Sequence, residues 1–155
     1  MGEVRMKTTV KQRAHGACPS HSRSVISVRD QVFQIDEPAE RGGTNTGPTP
    51  TETVLAALIG CTNVIGHKCA QSLGIDIGHL DITAVCDFDR RGVSLAEEID
   101  VPFQRIELNV TADGPASAEE LARVAAEVAK FCPLSKLYRA AGTEIVESWK
   151  SANDS

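Results

Sequence analysis

The chain has 155 residues and a net charge of −5, with one tryptophan and one tyrosine. That is enough for one domain with a real core, and it lacks the basic, aromatic-rich surface that nucleic acid binding needs. Five cysteines make an odd number for a disulfide framework, and the start, MGEVRMKTTVKQR, has no apolar run of a secretory signal, so a cytoplasmic protein with reduced thiols is expected.

In chain order, residues 4–12 mix charge with Val and Thr and read as a first, weak strand. The loop HGACPSHS follows. Its His15, Cys18 and His21 have three-residue spacings that would suit a metal, but a fourth ligand is missing, so a polar turn is the expectation. Ser24–Val28 and Gln31–Ile35 are short β-branched runs joined by Arg29-Asp30, which predicts a hairpin. Residues 41–50, RGGTNTGPTP, read as loop, without the strand and the Gly-Lys-Ser/Thr of a phosphate loop.

Within the stretch from Gly47 to Gly74 the sequence predicts a central helix of about twenty residues, approached through Pro48 and Pro50, capped by Thr51 and stopped at Gly74. Val54 to Cys61 is apolar nearly all round, the mark of a helix buried inside a domain, with Cys61 on a Val54–Leu58–Cys61–Ile65 stripe. Asn63, His67, Lys68 and Gln71 interrupt it, and as read it is too short for a membrane span.

Two alternating strands follow. The first, residues 79–88, turns Leu80, Ile82, Ala84, Cys86 and Phe88 to one face, which makes Cys86 a core residue; the second, residues 103–111, turns Ile106, Leu108 and Val110 inward. The acidic stretch 93–102 between them reads as mobile. Ser117 and Glu120 have capping-box spacing and start a second helix with a Leu121–Ala125–Val128–Cys132 stripe. Pro133 must kink this helix or start a new one, which runs to Ala141 and stops at Gly142; residues 143–149 form a closing strand, and 150–155 read as a disordered tail. The order β-β-β-α-β-β-α-α-β predicts one α+β domain over 1–155, its pairing largely antiparallel.

Among the thiols, Cys61 and Cys69 are separated by about 12 Å of helix rise and cannot form a disulfide within it. Cys61 and Cys132 both project from apolar stripes. They are open to two readings, a redox pair or two small hydrophobes filling a helix interface. Cys61 lies beyond the reach of its helix dipole and needs a cation from elsewhere to react, an arginine by preference. Cys132 immediately precedes Pro133; if a new helix begins there, its dipole would favour the thiolate, which nominates Cys132 as the more acidic thiol.

Asp36-Glu37-Pro38, Gly42-Gly43, Gly47-Pro48-Thr49-Pro50-Thr51-Glu52, Leu55-Ala56-Ala57-Leu58, Gly60-Cys61 and, about seventy residues on, Cys132-Pro133-Leu134-Ser135-Lys136-Leu137 resemble the OsmC/Ohr family of osmotically induced and organic hydroperoxide resistance proteins. The broad OsmC-like branch is the nearer match. The resemblance implies an intertwined homodimer, each central helix packed under a sheet shared by both subunits. It also implies a thiol peroxidase acting in oxidative-stress defence. Cys61 would take oxygen from an organic hydroperoxide, Cys132 would condense with the sulfenic acid, and an external dithiol, lipoyl in some members, would reduce the disulfide. No metal, haem or flavin is implied. Family peroxidases add an arginine held by a glutamate that directly follows a proline. Here Glu52 stands one place later, a 100° rotation on a helix, and equally suits a first-turn acid. Arg23 is the arginine chosen, with Arg29 and Arg41 as alternatives; any of the three also suits a solvated surface charge. The reading from a different class is a non-catalytic dimer that binds a small hydrophobic or electrophilic ligand.

Overall fold

The structure is a computed structural model that describes residues 5–154. The expected element order is found, and the backbone divides into two compact units, residues 1–53 and 54–155.

The first unit holds a three-stranded antiparallel sheet of β1 (His15–Ala17), β2 (Ser24–Val28) and β3 (Gln31–Ile35), with β2 central. The β2–β3 hairpin has the predicted bounds, and Arg29 takes the left-handed conformation at its tip, φ 56°. The first strand is not where it was expected. Residue 4 lies outside the described residues, and 5–12 form no strand; the pairing segment is His15–Ala17, inside the stretch read as a loop. Residues 5–12 are exposed throughout and have no apolar face to bury, with Met6 and Val10 both open to solvent.

After β3 the chain wraps round Asp36, whose side chain is fully buried. Its carboxylate accepts from the backbone N–H of Glu37 (2.8 Å) and Thr46 (3.1 Å) and from the hydroxyls of Thr46 (2.8 Å) and Thr44. These bonds hold its pKa well below the ordinary carboxylate range, the Thr44 hydroxyl most of all. Gly43 and Gly47 are needed by the same loop, because a Cβ on either would overlap the carbonyl of Glu37 or of Gln34.

Helix α1 (Pro50–Leu73) is longer than expected and begins one residue before Thr51. The cap is Thr49: its hydroxyl accepts from Glu52 N–H (3.2 Å), while Glu52 Oε2 accepts from Thr49 N–H (2.9 Å). This is a capping box with Pro50 at the first helical position, where its missing N–H costs nothing. At 24 residues α1 is long and apolar enough to cross a bilayer, contrary to the sequence reading. Yet one of its faces, Leu58, Thr62, Gly66, Cys69 and Ala70, is buried in protein. Val54, Leu55, Cys61 and Ile65 are partly buried beside it, but Ala56, Ala57 and Gly60 are exposed and Val64 is 52% exposed, so α1 is not the all-round buried helix expected. One chain supplies a core to one side of it only.

In the second unit a three-stranded sheet runs β4 (Leu80–Phe88), β5 (Phe103–Ala112), β6 (Glu144–Ser151), with β5 central. Of the four strand pairings among the described residues three are antiparallel, but β6 joins β5 in parallel. Two helices, α2 (Ala118–Phe131) and α3 (Pro133–Ala140), make the crossover that returns the chain to the start of β5. Ile106, Leu108 and Val110 are buried as predicted. Cys86 is half-buried at the rim of that core. α2 opens with the predicted Ser117–Glu120 capping box, but its buried stripe runs through Val124 rather than Ala125. Gly66 of α1 lies against the Trp149 indole of β6, close enough that a Cβ there would sit 3.0 Å from the ring. The chain end is not a free tail through 150–154: Lys150 and Ser151 belong to β6, and Ala152 N–H bonds to Ala112. Residue 155 lies outside the described residues. The acidic stretch is tied back by Arg91, which bonds Asp89 (2.7 Å) and Glu97 (2.9 Å).

Candidate functional site

Cys61 stands partly buried in the middle of α1, one turn beyond Leu58. Cys132 sits at the junction of α2 and α3, fully buried. Pro133 cannot continue α2, so α2 ends at Phe131 and a new helix starts with Cys132 as its N-cap. The Cys132 sulfur accepts from Ser135 N–H (3.4 Å), in the manner of a capping hydroxyl, and its own S–H donates to Cys61 Sγ at 3.2 Å. The two sulfurs, 71 positions apart, are in contact, and both are free thiols.

Burial decides the state of Cys132. It pushes the thiol up to about 11, against the smaller opposing pull of the Ser135 N–H, and the Cys61 sulfur pushes the same way. The helix-dipole argument that made Cys132 the more acidic thiol is therefore overturned: desolvation outweighs the dipole of an eight-residue helix. Cys132 is held as a proton donor facing Cys61. Cys69 and Cys86 are likewise pushed up by burial, while Cys18 is exposed beside Ser24 Oγ (3.4 Å). Iodoacetamide at pH 8 should accordingly label Cys18 first, and Cys69 and Cys132 only on unfolding. Rapid labelling of Cys132 in the folded protein at pH 8 would contradict this picture of a buried, protonated thiol.

The other expected site residues are in the first unit. Arg23 precedes β2, and its Nε is buried with no hydrogen-bond partner among the described residues. Arg29 is exposed at the hairpin tip beside Asp30 (3.8 Å), and Arg41 is paired with Glu37 (2.7 Å). Of the three arginines, only Arg23 has a buried, unused donor. Glu52 is committed through Oε2 to the α1 cap, and no Arg23–Glu52 ion pair is formed among the described residues. Of the predicted set, Cys61 and Cys132 are brought together. Residues His15, Cys18 and His21 lie in and after β1, and no group of three or more His, Cys, Asp or Glu suited to a metal ion is found among the described residues.

A cleft of about 270 Å³ opens between α1 and α2, lined by Ile65, Leu73 and Phe131 with Cys69 at its wall and Lys68 and Glu127 beside it. Ile65 is one turn along α1 from Cys61, and Phe131 immediately precedes Cys132. Sequence reasoning missed three residues: Thr49 as the cap, Asp36 as the loop anchor and Ser135 as the donor to Cys132. The Thr49-x-x-Glu52 and Cys132-x-x-Ser135 spacings were the available signals for two of them.

A family model, OsmC-like protein, matches residues 43–147. No curated protein matches the chain. Among solved structures, the OsmC-like protein of Mycoplasma pneumoniae superposes with a TM-score of 0.73 at 17% identity, over 91% of this chain and 98% of that one. The organic hydroperoxide resistance protein OsmC of Legionella pneumophila gives 0.65 at 16%, over 94% and 98%. The organic hydroperoxide resistance protein OhrB of Bacillus subtilis gives 0.65 at 19%, over 91% and 98%. These likenesses show a shared fold.

Proposed function

Because the chain belongs to the OsmC-like protein family, we propose that it is a thiol peroxidase that reduces organic hydroperoxides in the cytoplasm. The observation that carries this reading is the 3.2 Å contact between the Cys61 and Cys132 sulfurs. Cys61 attacks the terminal peroxide oxygen, the O–O bond breaks, an alcohol leaves and Cys61 becomes a sulfenic acid. The Cys132 sulfur then attacks the Cys61 sulfur. The sulfenic hydroxyl departs as water with the Cys132 proton, and a disulfide remains. An external dithiol, possessing the two electrons and two protons required, restores both thiols. The chemistry so written uses thiols alone.

By the family pattern, Arg23 is the proposed cation for the Cys61 thiolate; its Nε is buried and without a partner among the described residues. Glu52 serves by capping the helix that carries Cys61. The cleft at Ile65, Leu73 and Phe131 supports an organic rather than a hydrogen peroxide substrate. The exposed face of α1 at Ala56, Ala57 and Val64 supports a homodimer, since a single chain leaves it in water.

The same cleft supports the second reading, a dimer that binds a small hydrophobic ligand without turnover. Cumene hydroperoxide consumption with dihydrolipoamide as dithiol separates the two. Turnover is expected, faster than with hydrogen peroxide, and Arg23→Met should reduce oxidation of Cys61 by about a hundredfold. Absence of turnover with any dithiol would leave the binding reading.

A further inference from the structure

We propose that Arg139, acting through Ser135, is a positioning residue for Cys132; the proposal rests on the peroxidase reading for its role in the reaction. Ser135 is 1% exposed, and both of its polar groups are used. Its N–H donates to Cys132 Sγ and its hydroxyl accepts from Arg139 Nε (3.3 Å). Arg139 Nη2 reaches the carbonyl of Ile145 on β6 (3.5 Å). An arginine in the last turn of a helix ordinarily serves the free carbonyls at that end. This one turns back a full turn and ties the start of α3 to the neighbouring strand.

Glu147 stands behind it. This side chain lies two places along β6 from Ile145, with Oε1 buried and unpartnered among the described residues. Burial raises its pKa and Arg139 opposes the rise.

The consequence concerns disulfide formation. When the Cys132 sulfur attacks the Cys61 sulfenic acid, it needs a fixed approach and a donor for the charge it develops as its proton departs with the leaving hydroxyl. Ser135 N–H is that donor, and its direction is set by the first turn of α3. Arg139 pins that turn. The first step, oxygen transfer to Cys61, does not draw on these groups.

The test separates the two steps. Reduced protein is mixed with one equivalent of cumene hydroperoxide, with dimedone to trap sulfenic acid and mass spectrometry to follow the disulfide. Arg139→Met and Ser135→Ala should each leave Cys61 oxidation unchanged and slow disulfide formation by about tenfold, with more sulfenic acid trapped. The double variant should be no slower than either alone, since both break the same link, and Arg139→Lys should recover most of the rate. Disulfide formation at the wild-type rate in Arg139→Met would overturn the proposal. So would equal slowing of both steps, the sign of a merely structural role. If the wild-type protein ignores the hydroperoxide, the peroxidase reading fails separately. Diamide, which takes two electrons and two protons from a thiol pair, then decides on Arg139: slower Cys61–Cys132 closure in both variants is expected, and an unchanged rate would overturn the assignment.

Discussion

Cys61→Ser should abolish hydroperoxide consumption, a loss of about a thousandfold or more, as expected when a sole nucleophile is removed. A serine hydroxyl has no accessible oxidation state to match the sulfenic acid, so no residual turnover by the same route is expected. Cys132→Ser should behave differently. It retains Cys61, so it should consume one equivalent of cumene hydroperoxide and then stop, holding a sulfenic acid that dimedone labels. The asymmetry follows from the geometry: Cys132 is fully buried and held as a proton donor, whereas Cys61 is partly open. Rates with the two variants, read by loss of peroxide, check it. Equal and complete loss in both would point to a damaged fold, and full turnover in Cys61→Ser would remove the nucleophile assignment.

Asp36→Ala should be the most damaging single change to the fold of the first unit, lowering the melting temperature by roughly 10 °C or more. The carboxylate organises the loop from Glu37 to Thr46, and its removal leaves the N–H groups and hydroxyls of that loop without their acceptor. The same bonds give stability a definite pH dependence. The folded pKa lies below the unfolded value of about 3.9. The contribution is therefore complete above that value and is lost as the pH falls through the folded pKa. Thermal melts should show wild-type stability declining below about pH 4, with a smaller decline in Asp36→Asn. Parallel acid profiles for the two proteins would show that Asp36 carries no such linkage.

Much of this fold was legible wherever one residue type fixes local geometry. The hairpin turn at Arg29-Asp30, the alternation of β4 and β5, the Ser117–Glu120 box and the stop at Gly74 are set within a few residues of themselves. The harder features depend on what packs from elsewhere. β1 is three residues long and is defined only by its pairing with β2, so no periodicity announces it. The parallel entrance of β6 follows from the α2–α3 crossover, a feature that two helices between strands do signal. α1 reads as buried all round because its composition is apolar on every side, whereas one chain covers only the Leu58–Thr62–Gly66 face. The acidity of Cys132 was misjudged for the same reason. A dipole can be read from Cys-Pro, but full burial cannot. At the site, the two thiols were identified from their apolar stripes and the family motif; Ser135 was signalled by its Cys-x-x-Ser spacing, while Arg139 needed the α3–β6 contact to be seen.

The central claim is that Cys61 and Cys132 are one redox unit, and the most direct measurement is a thiol count. Fully reduced protein receives one equivalent of cumene hydroperoxide, and free thiols and linkages are then mapped by mass spectrometry. Two of the five thiols should disappear into a single Cys61–Cys132 disulfide, leaving Cys18, Cys69 and Cys86 reduced. Five thiols surviving untouched, or oxidation that bypasses Cys61, would contradict it.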